Sequence, residues 1–241
     1  MLFWEEKKMD THKKFLIVWV LVVCFSFNLN AIGEDKTFTS DGVIQDGDDY
    51  NLVDVYGDTT IVDMIGGEVA LLWTYDQSIV NISGGLVAYA QTNDQSIINI
   101  SGGLVHEPRA WYDSIINVTG GECWNVEVGG GQFDISGGQI TGKGIYAPST
   151  GSVVNVYGYG FAYDPFAGGN DGQLTGFWRD TSPFSIDFYH PGTAPTVNSY
   201  DAVVLHEVTP IPAPDAVLLG SLGLSISGWL LHKHKELEIG E

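Results

Sequence analysis

The residues of this chain that could do acid–base chemistry gather around one arginine. Glu107 and Asp113 lie close to Arg109 in the sequence, and Glu122 and Glu127 follow one repeat later. A glycoside hydrolase needs two carboxyl groups that face one cleft, and a lyase needs acids for calcium and a base that takes a proton. Acids are so frequent in this chain that such clusters also arise by chance. We therefore assign no catalytic residue and predict a protein that is not an enzyme.

The histidines do not suggest a catalytic or metal site. His106, His190 and His206 are far apart and lack metal-ligand spacing, and no serine joins them in a Ser-His-Asp pattern. His206 is expected on the exposed side of a strand.

A short phrase recurs through the middle of the chain. It reads "IVNISGGLV" from Ile79, "IINISGGLV" from Ile97 and "IINVTGGEC" from Ile115. The first glycine of each Gly-Gly pair falls at a regular interval of 18, 18, 18 and 17 residues: Gly66, Gly84, Gly102, Gly120 and Gly137. A fixed period of this kind is typical of a solenoid.

Each repeat predicts a strand, a glycine turn and a second strand. Val80 and Ile82 fall on one face and Asn81 on the other. The fold class is therefore all-β, a parallel β-helix of about 18 residues per coil with a β-rich C-terminal cap. A left-handed triangular helix also takes 18 residues, but its six-residue step from Val80 fails at Glu122, so a right-handed helix is favoured.

The asparagines of the repeat have two interpretations. Asn81, Asn99 and Asn117 each begin a formal N-glycosylation sequon. They also recur in register, which predicts a ladder of side-chain amides along the stacked coils. Aspartates at the same register, Asp63 and Asp134, favour the ladder.

Aromatic residues mark the variable halves of the repeats. They could stack on sugars or pack at the corners of coils, and packing is favoured. The residues concerned are Trp73, Tyr75, Tyr89, Trp111, Tyr112 and Trp124.

Charge and cysteine content limit the partners. Residues 34–209 hold 23 acidic and four basic residues, a net charge of −19, which argues against nucleic acid and anionic membranes. Cys24 lies in an apolar leader, so Cys123 is left without an internal disulfide partner.

The ends of the chain resemble targeting segments. Residues 1–33 are predicted to be a signal peptide, with Lys13 and Lys14 before an apolar run and cleavage after Ala31 or Gly33. Translation could start at Met1 or Met9, and an uncleaved anchor is the alternative. The predicted order is signal peptide 1–33, N-terminal cap 34–60, β-helix repeats 61–151, last coil and β-cap 152–209, sorting signal 210–235 and acidic tail 236–241.

Two segments weakly suggest calcium. The first holds Asp41, Asp46, Asp48 and Asp49 but has no terminal Glu of a twelve-residue loop. The second is a single "GGNDG" in residues 168–172. A solvated turn before the first coil is the favoured interpretation, and no cofactor is assigned.

The C-terminal segment predicts a membrane anchor. Ile211, Pro212, Ala213 and Pro214 precede an apolar run over residues 216–231, followed by the basic cluster 232–235. The run is slightly short for a spanning helix of about 17–25 residues, and a buried C-terminal helix is the alternative. The lysines predict that this end stays in the cytoplasm while the body is exported.

This tail resembles a PEP-CTERM sorting signal, although Ala213 stands where Glu is typical and an acidic extension follows the bases. The "NISGG" coils, "VNVYGYGF", "QLTGFW", "PFSIDFY" and "VVLHE" are similar to repetitive PEP-CTERM proteins of planctomycete-type bacteria. The resemblance implies processing by an exosortase-like enzyme in bacteria that often make exopolysaccharide. It implies no catalytic residues.

We therefore expect an exported cell-surface or matrix protein with a structural or interaction role, possible association with polysaccharide, and tethering to the membrane before or without processing of the tail. The alternative is a polysaccharide-active β-helix enzyme, a lyase or a glycosidase.

Overall fold

The computed structural model describes residues 33–191 and 198–211, which form an all-β fold. The strands are, in chain order, β1 (Glu34–Phe38), β2 (Gly42–Ile44), β3 (Asp49–Val55), β4 (Ile61–Met64), β5 (Glu68–Thr74), β6 (Ile79–Ile82), β7 (Leu86–Thr92), β8 (Ile97–Ile100), β9 (Leu104–Val105), β10 (Pro108–Trp111), β11 (Ile115–Val118), β12 (Glu122–Gly129), β13 (Gln132–Ile135), β14 (Gln139–Tyr146), β15 (Val153–Gly169), β16 (Gly172–Phe177), β17 (Pro183–Asp187) and β18 (Val203–Glu207). One 3-10 helix, Ser199–Ala202, precedes β18.

The strands form two sheets that wind as a parallel β-solenoid of about seven coils. The long-strand sheet has the order β1-β3-β5-β7-β10-β12-β14, with β9 between β7 and β12. The short-strand sheet runs β2-β4-β6-β8-β11-β13-β15-β16-β17, with β18 on β15. Ile79, Ile97 and Ile115 lie side by side in this sheet. The predicted period of 18 residues is therefore the length of one coil.

The core lies between the two sheets and is built from columns of apolar side chains. Val80, Ile98 and Ile116 are fully buried and are neighbours on successive strands. This column confirms the prediction from the repeat. The next column comprises Ile82, Ile100 and Val118.

A third buried column consists of hydroxyl groups. Ser96 Oγ lies 2.7 Å from Thr74 Oγ1, and Ser114 donates from Oγ to Thr92 Oγ1 at 2.8 Å. All four residues are fully buried. Because each hydroxyl has a partner, the polar groups are tolerated in the core.

The Gly-Gly turns stack directly on one another. Gly103 has φ +75°, and a Cβ there would lie 2.8 Å from the carbonyl oxygen of Gly85, one coil earlier. A side chain at this position would meet backbone, so the turn requires glycine for space as well as for conformation.

The outer side of the short-strand sheet carries the predicted amide ladder. Each Asn donates from Nδ2 to the preceding coil, Asn81 to Asp63, Asn99 to Asn81 and Asn117 to Asn99, at 2.8 Å in every case. The prediction of a ladder is confirmed, and we refer to it below as the asparagine ladder.

The segment that the sequence assigned to an N-terminal cap, residues 34–60, is paired in the same way as the repeats. β1 pairs with β3, β3 with β5 and β2 with β4, all parallel. Parallel coils therefore begin before the recognisable repeat.

The C-terminal region changes from parallel to antiparallel pairing. β15 begins beside β13 and continues into an antiparallel sheet with β16 and β17, and β18 returns to pair parallel with the start of β15. Strands predicted from "QLTGFW", "PFSIDFY" and "VVLHE" lie at β16, β17 and β18.

Candidate functional site: the outer face of the long-strand sheet

One row of side chains crosses the outer side of the long-strand sheet. Strand pairing places Trp73, Gln91, Arg109, Glu127 and Tyr146 next to one another on five successive strands. Their chain neighbours, such as Leu72 and Ala110, point into the core and are fully buried. Because successive side chains of a strand point to opposite faces of the sheet, the row points outward.

Arg109 is the centre of this row. Its guanidinium lies 3.0 Å from Glu107 and 3.2 Å from Glu127, and its carbon lies 4.6 Å from the centre of the Tyr89 ring. Partial burial opposes its charge, but the hydrogen bond to Glu107 and the charge of Glu127 raise the pKa of Arg109 above its usual value. The arginine is thus a fixed cation between two carboxylates.

Aromatic rings flank the arginine on both sides. Trp111 packs over Gly129 on the next strand, where a Cβ would come within 2.4 Å of the indole. Tyr189 lies against Tyr146 with ring centres 5.6 Å apart. Burial, followed by the charges of Glu127 and Glu107, raises the pKa of the Tyr189 phenol. The pKa of the Tyr89 phenol is also raised, chiefly by burial.

We call this surface the aromatic face. Its rings are half-buried. The residues are Trp73, Tyr89, Trp111, Tyr146 and Tyr189, together with Gln91, Glu107, Arg109 and Glu127.

Only part of the predicted acidic patch comes together. Glu107 and Glu127 bind Arg109, as described above. Glu122 instead accepts hydrogen bonds from Trp124 Nε1 at 2.8 Å and Thr141 Oγ1 at 2.9 Å, which lower its pKa. Asp113 lies exposed in the turn before β11. Two carboxylates that share one arginine do not form the cleft with an unengaged acid that a glycosidase requires.

The predicted aromatic residues divide between the face and the turns. Trp73, Tyr89 and Trp111 belong to the aromatic face. Tyr75 stacks on Tyr56 with centres 4.6 Å apart. Trp124 stacks on His106. Tyr112 lies in a turn and is 67% exposed.

The three histidines have separate partners. His190 Nδ1 lies 2.5 Å from the buried carboxylate of Asp171. His206 Nε2 lies 2.9 Å from Asn155 Oδ1, at the end of the asparagine-ladder register, and its ring stacks on Tyr157. His206 is therefore half-buried, which differs from the exposed position that the sequence suggested.

The acidic turn around Asp48 has a structural explanation. Asp48 Oδ2 accepts from the Gln45 backbone at 2.8 Å, and Asp41 accepts from the Ile61 backbone at 2.9 Å. Asp46 and Asp49 line the same surface cleft as Asp48. In the part of the chain that the structure describes, no three His, Cys, Asp or Glu side chains are placed to hold a metal ion.

The predicted processing residues lie mostly outside the described residues. This applies to Ala31 and to residues 212–214, and to the apolar run over residues 216–231. Gly33 is the first described residue, and Ile211 is the last, with its amide bound to the Arg179 carbonyl at 2.9 Å. Within residues 33–191 and 198–211 there is no helix long and apolar enough to cross a membrane.

No family model, curated protein or solved structure matches this chain.

Proposed function

We propose that this chain is an exported structural or interaction protein of the cell surface or extracellular matrix that holds exopolysaccharide on its aromatic face. The observation that carries the proposal is the row across five strands, in which a tryptophan and a tyrosine at the two ends enclose three side chains that donate or accept hydrogen bonds. Tyrosine offers an apolar ring with a polar edge, and tryptophan offers a large apolar ring. Such a mixture suits sugars, which combine C–H faces with hydroxyl groups.

The rigidity of the face supports a binding role. Most of its side chains stand on β5, β7, β10 and β12, which have a paired strand on each side, and Arg109 is fixed by two carboxylates and a ring. A surface that is ordered before binding loses little conformational entropy when a ligand arrives. Adjacent strands repeat the face at about 4.8 Å, so an extended polymer could contact several coils.

The charge of the body favours neutral polysaccharide as the partner. Its net charge of −19 over residues 34–209 would repel nucleic acid and other polyanions. On the aromatic face the positive charge of Arg109 is outweighed by the two carboxylates of Glu107 and Glu127, which would also repel a polyanion.

The proposal includes delivery to the cell envelope. Residues 1–33 would direct export and be removed after Ala31 or Gly33. Residues 210–235 would be recognised by an exosortase-like enzyme at Ile211, Pro212, Ala213 and Pro214, with residues 216–231 in the membrane before processing. The support is the resemblance of the tail to PEP-CTERM signals. A right-handed winding of the coils belongs to the same proposal.

Affinity electrophoresis tests the binding role. We expect hydroxyethylcellulose or another neutral glycan in the gel to retard the protein. The double substitution Trp73→Ala, Trp111→Ala should weaken the affinity for the glycan at least tenfold. Tyr112→Ala is the matched control, because Tyr112 is aromatic and exposed in the turn after β10. Trp73→Phe should retain binding. Equal retardation of the double variant and the wild type would overturn the proposal.

The alternative, a polysaccharide-active enzyme, rests on the presence of Glu107 and Glu127 on the same face. Incubation with the retarding glycan distinguishes the two. New reducing ends or unsaturated products that disappear in Glu127→Gln would establish the enzyme.

The delivery is tested by intact mass in membrane and secreted fractions of the native host. Loss of about thirty residues at each end would support sorting, and an intact tail in the membrane would contradict processing.

A further inference from the structure

The asparagine ladder has one interruption. Asn117 and Asp134 are neighbours in the register of β11 and β13, but no hydrogen bond joins them. Asn117 uses Nδ2 to donate to Asn99, which leaves Oδ1 facing the next coil. An ionised carboxylate there has no proton to donate.

Asp134 is also already engaged by donors from other directions. Gln132 Nε2 lies 3.0 and 2.9 Å from its two oxygens, and Asn155 Nδ2 lies 2.6 Å from Oδ1. Among the described residues, therefore, no donor reaches Asn117 Oδ1. Two adjacent acceptors are left without a donor between them.

This interruption opens onto a cleft of about 430 Å³, within the range of small-molecule sites. The cleft lies between the outer side of the short-strand sheet and the segments that follow β16 and β18. We call it the ladder cleft. Its lining includes Asn117, Thr119, Asp134, Ser136, Tyr157 and Arg179.

Tyr157 and Arg179 supply donors to the cleft. The Tyr157 ring is held by stacking on His206, with centres 4.5 Å apart. Burial and then the charge of Asp134 raise the pKa of the Tyr157 phenol, so it stays protonated. Arg179 is exposed, and within the described residues it has no ion pair. Its backbone is fixed by the Ile211 amide at 2.9 Å.

The mixture of groups indicates the class of ligand. A metal cation would need several carboxylate or carbonyl ligands, whereas this cleft offers one carboxylate and holds an arginine. An anion would meet Asp134. A sugar hydroxyl both donates and accepts, so adjacent hydroxyls can donate to Asn117 Oδ1 and Asp134 and accept from Arg179 and Tyr157.

We propose that the ladder cleft binds one hexopyranose unit of a neutral glycan through adjacent hydroxyl groups. The cleft is on the other sheet from the aromatic face, so this site and the proposed function can be tested separately. A polymer that occupies both would be held on two sides of the solenoid.

The decisive variant is Asp134→Asn. An amide at this position can donate to Asn117 Oδ1 and still accept from Asn155, so the ladder would become continuous. We expect the urea midpoint to rise while binding of cellotetraose, measured by isothermal titration, weakens at least tenfold. Few substitutions in a binding site stabilise the fold and abolish binding together.

Arg179→Met is the second variant, and it should weaken cellotetraose binding without changing the urea midpoint. Lys143→Met is the matched control, since Lys143 is another exposed base that lies outside the cleft. The aromatic-face double variant should keep the cleft's affinity for cellotetraose. The proposal is overturned if no neutral oligosaccharide binds, if calcium or glucuronate binds in its place, or if Asp134→Asn binds as tightly as the wild type.

Discussion

The side-chain amide of Asn99 donates from Nδ2 to Oδ1 of Asn81, 2.8 Å away and one coil earlier. Both residues begin formal glycosylation sequons, yet both are hydrogen-bonded to the coils on either side. The ladder therefore explains the recurrence of asparagine by a structural requirement. An asparagine is needed because it is a donor and an acceptor at once.

We predict that Asn99→Asp destabilises the fold by about 1–3 kcal/mol, the usual cost of leaving a partly buried polar group without its partner. A carboxylate could accept from Asn117 but could not donate to Asn81. Urea unfolding followed by circular dichroism measures the difference. Asp63→Asn is the control, because it keeps the acceptor for Asn81. If both variants unfold at the same urea concentration, the ladder is not a source of stability.

The stacked Gly-Gly turns give a second prediction. Gly103→Ala should cost more than about 3 kcal/mol, because it adds a backbone clash to the roughly 1–2 kcal/mol of an L-residue in the left-handed region. Gly47 also has a positive φ, +92°, but a Cβ there meets nothing within 4 Å. Gly47→Ala should therefore show the conformational cost alone. Thermal and urea unfolding of the two variants separate the cost of the backbone clash from the conformational cost. Equal losses of stability in Gly103→Ala and Gly47→Ala would contradict the close packing of the turns.

Asp171 joins the C-terminal strand to the body. Its carboxylate lies 2.5 Å from His190 Nδ1 and accepts from the Ser199 backbone at 2.9 Å, just before β18. We expect Asp171→Ala to expose the backbone amides of β18 to faster hydrogen exchange and to cost about 1–3 kcal/mol. Asp201 is an exposed acid in the 3-10 helix that begins at Ser199. Asp201→Ala should leave the hydrogen exchange of β18 unchanged. Unaltered protection of β18 in Asp171→Ala would show that strand pairing alone holds it.

Alkaline pH should destabilise the protein through two groups. Burial above all raises the pKa of Tyr75 from 10.0 to about 12 and that of Cys123 from 9.0 to about 12. The folded state holds these protons more tightly than the unfolded state, so their contribution is complete below pH 9 and is lost as pH rises toward 12.

Urea midpoints at pH 8, 9.5 and 11 should therefore fall in that order. Tyr75→Phe should reduce the loss above pH 10, whereas Tyr112→Phe, at an exposed phenol, should not. A midpoint that stays constant up to pH 11 would contradict the role of these two groups.

The repeat predicted the coil, its register and its apolar columns because Val80, Ile98 and Ile116 obey a strict period. It also predicted two strands per coil, but not that polar side chains of the long strands are buried. In the long strands buried positions include Thr74 and Thr92, whose hydroxyls are paired inside with Ser96 and Ser114. A pattern of apolar and polar residues predicts that such positions are exposed. Their hydrogen bonds to serine make burial possible.

The candidate site was also predicted in part. Arg109, Glu107 and Glu127 could be grouped because neighbouring coils bring residues one period apart together. Tyr189 and Arg179 could not, because they come from the region after the repeats, where antiparallel pairing replaces the fixed period.

The stacking of coils also determines how the molecule would respond to tension. Hydrogen bonds between coils run along the axis of the solenoid, so a pull along this axis loads the coil interfaces in series and opens the weakest one first. Each coil of 18 residues, the spacing of Ile79 and Ile97, would then release about 60 Å of extended chain. A solenoid held at one end and bound to polymer along its side would act as an extensible tether that lengthens in steps of one coil.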